Sequence, residues 1–121
     1  MYCNNDTGVN VMIYQRHILA TLKQSLDEYP ITLVTGARQV GKTTLVSIIE
    51  KENHYQYLTF DDTNLLALAK NPKKFVEDHP APIIFDEVQK AKDLFPEIEA
   101  VVNRTKREKG SQAANGMYIL S

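Results

Sequence analysis

Gly36-Ala37-Arg38-Gln39-Val40-Gly41-Lys42-Thr43 matches the spacing Gly-x-x-x-x-Gly-Lys-Ser/Thr. Its flanks constrain the fold as much as the motif does. Before it, Pro30 stops a helical pattern, and Ile31, Leu33 and Val34 form a short apolar run that ends at Gly36, as a buried strand does. After it, Leu45, Ile48 and Ile49 return to helical spacing, from Lys42 through about Glu52. A bland reading, a glycine turn that only caps a helix, is set aside because a strand precedes the loop and a helix follows it. In a strand–loop–helix unit the glycines let several backbone N–H groups converge on an anion at the positive end of the helix.

The rest of the chain repeats the alternation. Tyr14, Ile18, Leu22 and Leu26 recur four apart and give a lead-in helix with one apolar stripe. Tyr55 to Phe60 reads as a second strand, followed by a helical run carrying Leu65, Leu66, Leu68 and Ala69. Asn71-Pro72 breaks and restarts that run, with Pro72 suited to a first helical position. Pro80-Ala81-Pro82 leads into Ile83-Ile84-Phe85, too short for a helix and ending in the acids Asp86 and Glu87. Asp93 is the expected N-cap of a last helix with Leu94, Ile98, Val101 and Val102 on one face, closing in a basic run before Gly110. Met117 to Leu120 begins a fourth strand. Strands alternating with helices predict an α/β fold with a mainly parallel sheet in three α/β/α layers, the architecture of a P-loop NTPase. The expected organisation is a polar tail and lead-in helix over 1–29 and a nucleotide-binding core over 30–121.

The chemistry expected of these residues is binding of Mg-ATP. Gly36, Ala37, Arg38, Gln39, Val40, Gly41, Lys42, Thr43 and Thr44 form the phosphate cradle, with Lys42 reaching the β- and γ-phosphates and the Thr43 hydroxyl ligating magnesium. Asp86, at the tip of a buried strand, can hold magnesium through its water shell. Glu87 beside it is placed to orient and polarise a water as general base. Arg38 reads as a solvent-facing loop residue or a phosphate contact, and Gln89 as a surface residue or a γ-phosphate sensor. The basic residues Arg104 to Lys109 read as a helix C-terminus complementing its dipole in preference to a nucleic-acid patch. His17, His54 and His79 are scattered and have no metal-ligand spacing.

Composition narrows the surroundings. The 121 residues are 43% hydrophobic and 24% charged, enough for one globular core and too few for two ordinary domains. A net charge of -1 gives no sign of a nucleic-acid or membrane surface. No apolar run approaches the roughly 18 residues a spanning helix needs. The lone Cys3 precludes an internal disulfide and fits a reducing cytoplasm.

Four stretches together resemble the prokaryotic AAA-type ATP-binding proteins that carry a C-terminal domain of unknown function. They are the loop with Arg38-Gln39 inside it, Phe60-Asp61-Asp62 after the second strand, Asn71-Pro72 before the Phe75 helix, and Asp86-Glu87-Val88-Gln89-Lys90. The resemblance runs from about Tyr14 to Ser121. It implies sheet order 5-1-4-3-2, with strand 5, an arginine finger and the C-terminal domain lying beyond this sequence, so that the chain is a fragment. It also implies that Gly116-Met117-Tyr118-Ile119-Leu120 leads to a polar sensor at the strand tip, Ser121, and that Asp61 lies near the magnesium, although a turn or N-cap acid is an equal reading of that residue.

The expected activity is Mg-dependent ATP hydrolysis, with a homo-oligomer or a protein partner reached through the C-terminal region. One rival is a nucleotide-binding interaction or regulatory module that switches without meaningful turnover. A second is a P-loop small-molecule kinase, against which Glu87 directly after Asp86 favours water as acceptor. A GTPase fits less well, because Asp86 has no glycine three residues on and no Asn-Lys-x-Asp occurs.

Overall fold

The computed structural model describes residues 19–34 and 40–121, and of 40–46 the backbone alone. The first helix, α1, is helical over 19–28 and stops before Pro30. It is followed by β1 (Ile31–Leu33), α2 (Val40–Asn53), β2 (Gln56–Thr59), α3 (Thr63–Leu68), α4 (Pro72–Asp78) and β3 (Ile83–Asp86). A 3-10 turn over Val88–Ala91, α5 (Leu94–Lys109), a second 3-10 turn over Gln112–Ala114 and β4 (Tyr118–Leu120) complete the chain. All strand pairs are parallel, in the order β1-β4-β3-β2. The α/β class and the succession 1-4-3-2 are as expected. The position beyond β1, where the expected order has strand 5, carries no strand among the described residues.

A parallel sheet needs cover on both faces, and strand alternation supplies an apolar set to each. Ile83, Phe85, Tyr118 and Leu120 point to one side and bury against Phe75 and Val76 of α4 and Leu94, Ile98 and Val102 of α5. Ile84 and Ile119 point to the other and bury against Leu22 and Leu26 of α1 and Ile49 of α2. The result is three layers. Phe85 meets Phe60 and Phe75 at centroid distances of 5.7 and 5.9 Å, tilted pairs that each add about 0.5–1.5 kcal/mol beyond area burial. A Lys23–Glu52 ion pair of 2.8 Å joins α1 to α2. Tyr14 and Ile18, expected on the same stripe as Leu22 and Leu26, lie outside the described residues. At the outer edge of β1, Leu33 is 60% exposed.

Helix starts differ from expectation in two places. At α5, Asp93 holds the N-cap position but has αR backbone and makes no side-chain cap bond. An N-cap side chain reaches the free N–H groups from extended backbone, and Asp93 lacks that geometry. At α3 the cap is Asp62, whose Oδ1 accepts from Asn64 N at 2.8 Å and Leu65 N at 3.4 Å. Asp61 is thus left free of capping and accepts a hydrogen bond from Lys90 Nζ at 2.6 Å. The end of α5 is as expected: Lys106, Arg107 and Lys109 in the last turn, then Gly110 at φ 95°, with its N–H donating to the Lys106 carbonyl.

Candidate functional site

The strand order sets which residues can meet. With β4 between β1 and β3, the C-terminal ends of these three strands lie side by side, at the sheet edge where ligands bind in open α/β folds. The ladder continues into the tips. Val34 N donates to the Leu120 carbonyl at 2.8 Å, Ser121 N to the Phe85 carbonyl at 2.9 Å, and Val88 N to the Ser121 carbonyl at 3.0 Å. Thus the residue preceding the glycine loop region, the polar residue after β4 and the acids closing β3 are bound into one edge.

Asp86 ends β3 in register with Thr59 and, by alternation, shares the face of Ile84, the face covered by α1 and α2. Its carboxylate is oriented at both oxygens. Tyr57 Oη donates to Oδ2 at 2.6 Å, and the Glu87 amide donates to Oδ1 at 2.9 Å. Burial first, and then the bond to Asp86, push the Tyr57 phenol above its ordinary value, so it remains a donor at neutral pH.

Glu87 has φ 56° and ψ 40°, the left-handed region that a non-glycine residue rarely enters. The turn ends the strand and starts the Val88–Ala91 helical turn, with the Glu87 carbonyl accepting from Lys90 N at 3.1 Å. The Glu87 side chain, partly exposed, accepts a hydrogen bond from Gln89 Nε2 at 2.7 Å. Below it, Lys90 clasps Asp61, a bond that raises the lysine's affinity for its proton. The turn that carries Glu87 is therefore tied to the residues following β2.

Ser121 is 8% exposed, and among the described residues its Oγ has no hydrogen-bond partner. A buried hydroxyl left unpaired costs about 1–3 kcal/mol, which an oxygen- or water-bearing ligand at the strand tip would recover. A hydroxyl unpaired among the described residues, beside an oriented carboxylate, is a set suited to hydrated magnesium and phosphate oxygens, since magnesium keeps most of its waters and takes one or two carboxylates. No group of three or more His, Cys, Asp and Glu able to hold a metal occurs among the described residues.

Of the expected phosphate cradle, Gly36, Ala37, Arg38 and Gln39 lie outside the described residues. Val40, Gly41, Lys42, Thr43 and Thr44 form the first turns of α2 in backbone, and nothing is described of their side chains. Asp86, Glu87 and Ser121 are brought together at the sheet edge; Asp61 sits at the neighbouring β2 end and is engaged by Lys90. Sequence reasoning missed Tyr57. It belongs to no motif, and only the parallel register of β2 on β3 shows that it shares a face with Asp86.

No helix among the described residues is long and apolar enough to cross a membrane. No solved structure matches the chain. Two mycobacterial proteins are similar to it: Uncharacterized protein Mb2031c of Mycobacterium bovis and Uncharacterized protein Rv2008c of Mycobacterium tuberculosis, each 33% identical over 96 residues. The alignment takes in 78% of this chain and 21% of each relative, so the chain spans about a fifth of the length of the curated relatives it matches. A family model described as an AAA domain matches residues 28–116, from the end of α1 through the loop, α2, β3 and α5. With the parallel sheet in the order β1-β4-β3-β2 and the glycine loop between its first strand and the helix that follows, this match shows that the chain belongs to the AAA domain family.

Proposed function

We propose that this chain is the nucleotide-binding part of a Mg-dependent ATPase, with water as the phosphoryl acceptor. The observation that carries the reading is the shared sheet edge. There the strand leading into the 36–44 loop, the Ser121 hydroxyl, unpaired among the described residues, and the Asp86-Glu87 pair stand on adjacent strand ends.

In this reading the backbone N–H groups of Gly36 to Thr44, Lys42 and the α2 N-terminus hold the phosphates. The Thr43 hydroxyl and Asp86, through water, hold magnesium, which when bound neutralises phosphate charge. Glu87 takes the proton of the attacking water, and its side chain is steadied for that by Gln89. Ser121 donates its hydroxyl toward a phosphate oxygen or the attacking water. Its backbone is fixed on both sides by Phe85 and Val88, which holds the residue at the strand tip before any ligand arrives.

The test is phosphate release at saturating Mg-ATP under single-turnover conditions, with and without a panel of small acceptor metabolites. Release of inorganic phosphate that the acceptors do not divert is expected. Transfer to an acceptor would make the chain a kinase, and tight binding without release would make it a nucleotide-operated switch.

A further inference from the structure

Asp86 is held from a neighbouring strand by a residue that belongs to no nucleotide-binding motif. β2 and β3 pair in parallel with Tyr57 opposite Ile84 and Thr59 opposite Asp86. By alternation Tyr57 shares the face of Ile84 and Asp86, one two-residue step behind the carboxylate. That step is about 6.6 Å along a strand, a gap that a long side chain crosses and a serine or threonine does not. The ring packs against the cluster of Leu22, Leu26, Ile49, Ile84 and Ile119, and this leaves the hydroxyl little freedom. It donates to Asp86 Oδ2 at 2.6 Å while the Glu87 amide holds Oδ1 at 2.9 Å.

We infer that Tyr57 is a positioning residue for Asp86, fixing the plane of its carboxylate for a magnesium ion bound through water. The inference rests on the reading of Asp86 as the magnesium-holding acid. Two bonds on opposite oxygens stop the carboxylate from rotating. With the carboxylate plane set in this way, a magnesium-bound water donates to it along a fixed direction, and that direction is what Tyr57 supplies. Partners that orient a metal-holding side chain typically matter by about 10- to 100-fold in metal affinity.

The experiment uses the full chain, a fluorescent ATP analogue at fixed concentration, and a magnesium titration for the parent, Tyr57→Phe, Asp86→Asn and the double variant. Phenylalanine keeps the packed ring and removes only the donor. Tyr57→Phe is expected to raise the half-saturating magnesium concentration about tenfold or more, to leave analogue binding in EDTA unchanged, and to add nothing further to Asp86→Asn. Equal weakening in magnesium and in EDTA would assign Tyr57 a merely structural role and overturn the inference. A magnesium midpoint unmoved by Tyr57→Phe but moved by Asp86→Asn would also overturn it while leaving the role of Asp86 intact. A midpoint that Asp86→Asn fails to move would remove the reading on which it rests.

Discussion

Gln89 Nε2 lies 2.7 Å from Glu87 Oε1, so the side chain two residues on grips the carboxylate whose own backbone is held in the left-handed region at φ 56°. The bond requires an acceptor oxygen at Glu87, and a glutamine there still provides one. Glu87→Gln therefore keeps the side chain in place while removing its capacity to take a proton. Affinity for the ATP analogue is expected to stay within about threefold and single-turnover phosphate release to fall about 100-fold or more, the scale of a lost general base. Asp86→Asn should act instead on the magnesium dependence of binding. Identical profiles for the two variants, in binding and in turnover, would contradict the division of roles.

Gly116 joins the end of the sheet remote from the candidate site to α1. Its N–H donates to the Tyr29 carbonyl at 2.9 Å, and its own carbonyl accepts from Tyr55 Oη at 2.6 Å. The backbone is at φ +75°, and an added Cβ would come within 3.0 Å of both the Leu26 carbonyl oxygen and the Tyr55 hydroxyl. Gly116→Ala combines left-handed strain with overpacking against backbone, and the expected loss is about 2–3 kcal/mol of folding stability. Urea denaturation measures it. A change under about 0.5 kcal/mol, the range of ordinary surface substitutions, would mean that the strap between α1 and β4 carries no strain.

Much of the architecture was legible because each element announces itself locally. Ile83-Ile84-Phe85 is short, wholly apolar and bounded by Pro82 and Asp86, so only a buried strand suits it; the structure buries all three of those apolar residues completely. Leu94, Ile98 and Val102 keep helical spacing over two turns and form the buried face of α5. What stayed hidden depends on backbone angles or on register. Asp61 and Asp62 are chemically alike, and the choice of cap fell to Asp62 because its extended backbone aims Oδ1 at Asn64 N and Leu65 N. Asp93 lost its capping bond for the opposite reason, an αR backbone. The left-handed turn at Glu87 carries no glycine to announce it. Nor can the Tyr57–Asp86 bond be read from a sequence separation of 29, since it exists only once β2 lies parallel beside β3 in one register.

If the loop after β1 binds the phosphates of Mg-ATP, Lys42 carries most of the charge it offers them, and Lys42→Ala removes that charge. The lysine belongs to the first turns of α2, and the buried anchor described for that helix, Ile49, lies two turns further on, so the variant should keep the parent's circular dichroism and urea midpoint. Titration of the folded variant with the fluorescent ATP analogue in magnesium is the decisive measurement. Binding is expected to be lost, with affinity weakened about 100-fold or more, as follows when about 3 kcal/mol of charge-assisted contact to phosphate is removed. Unchanged affinity in a folded Lys42→Ala chain would contradict it.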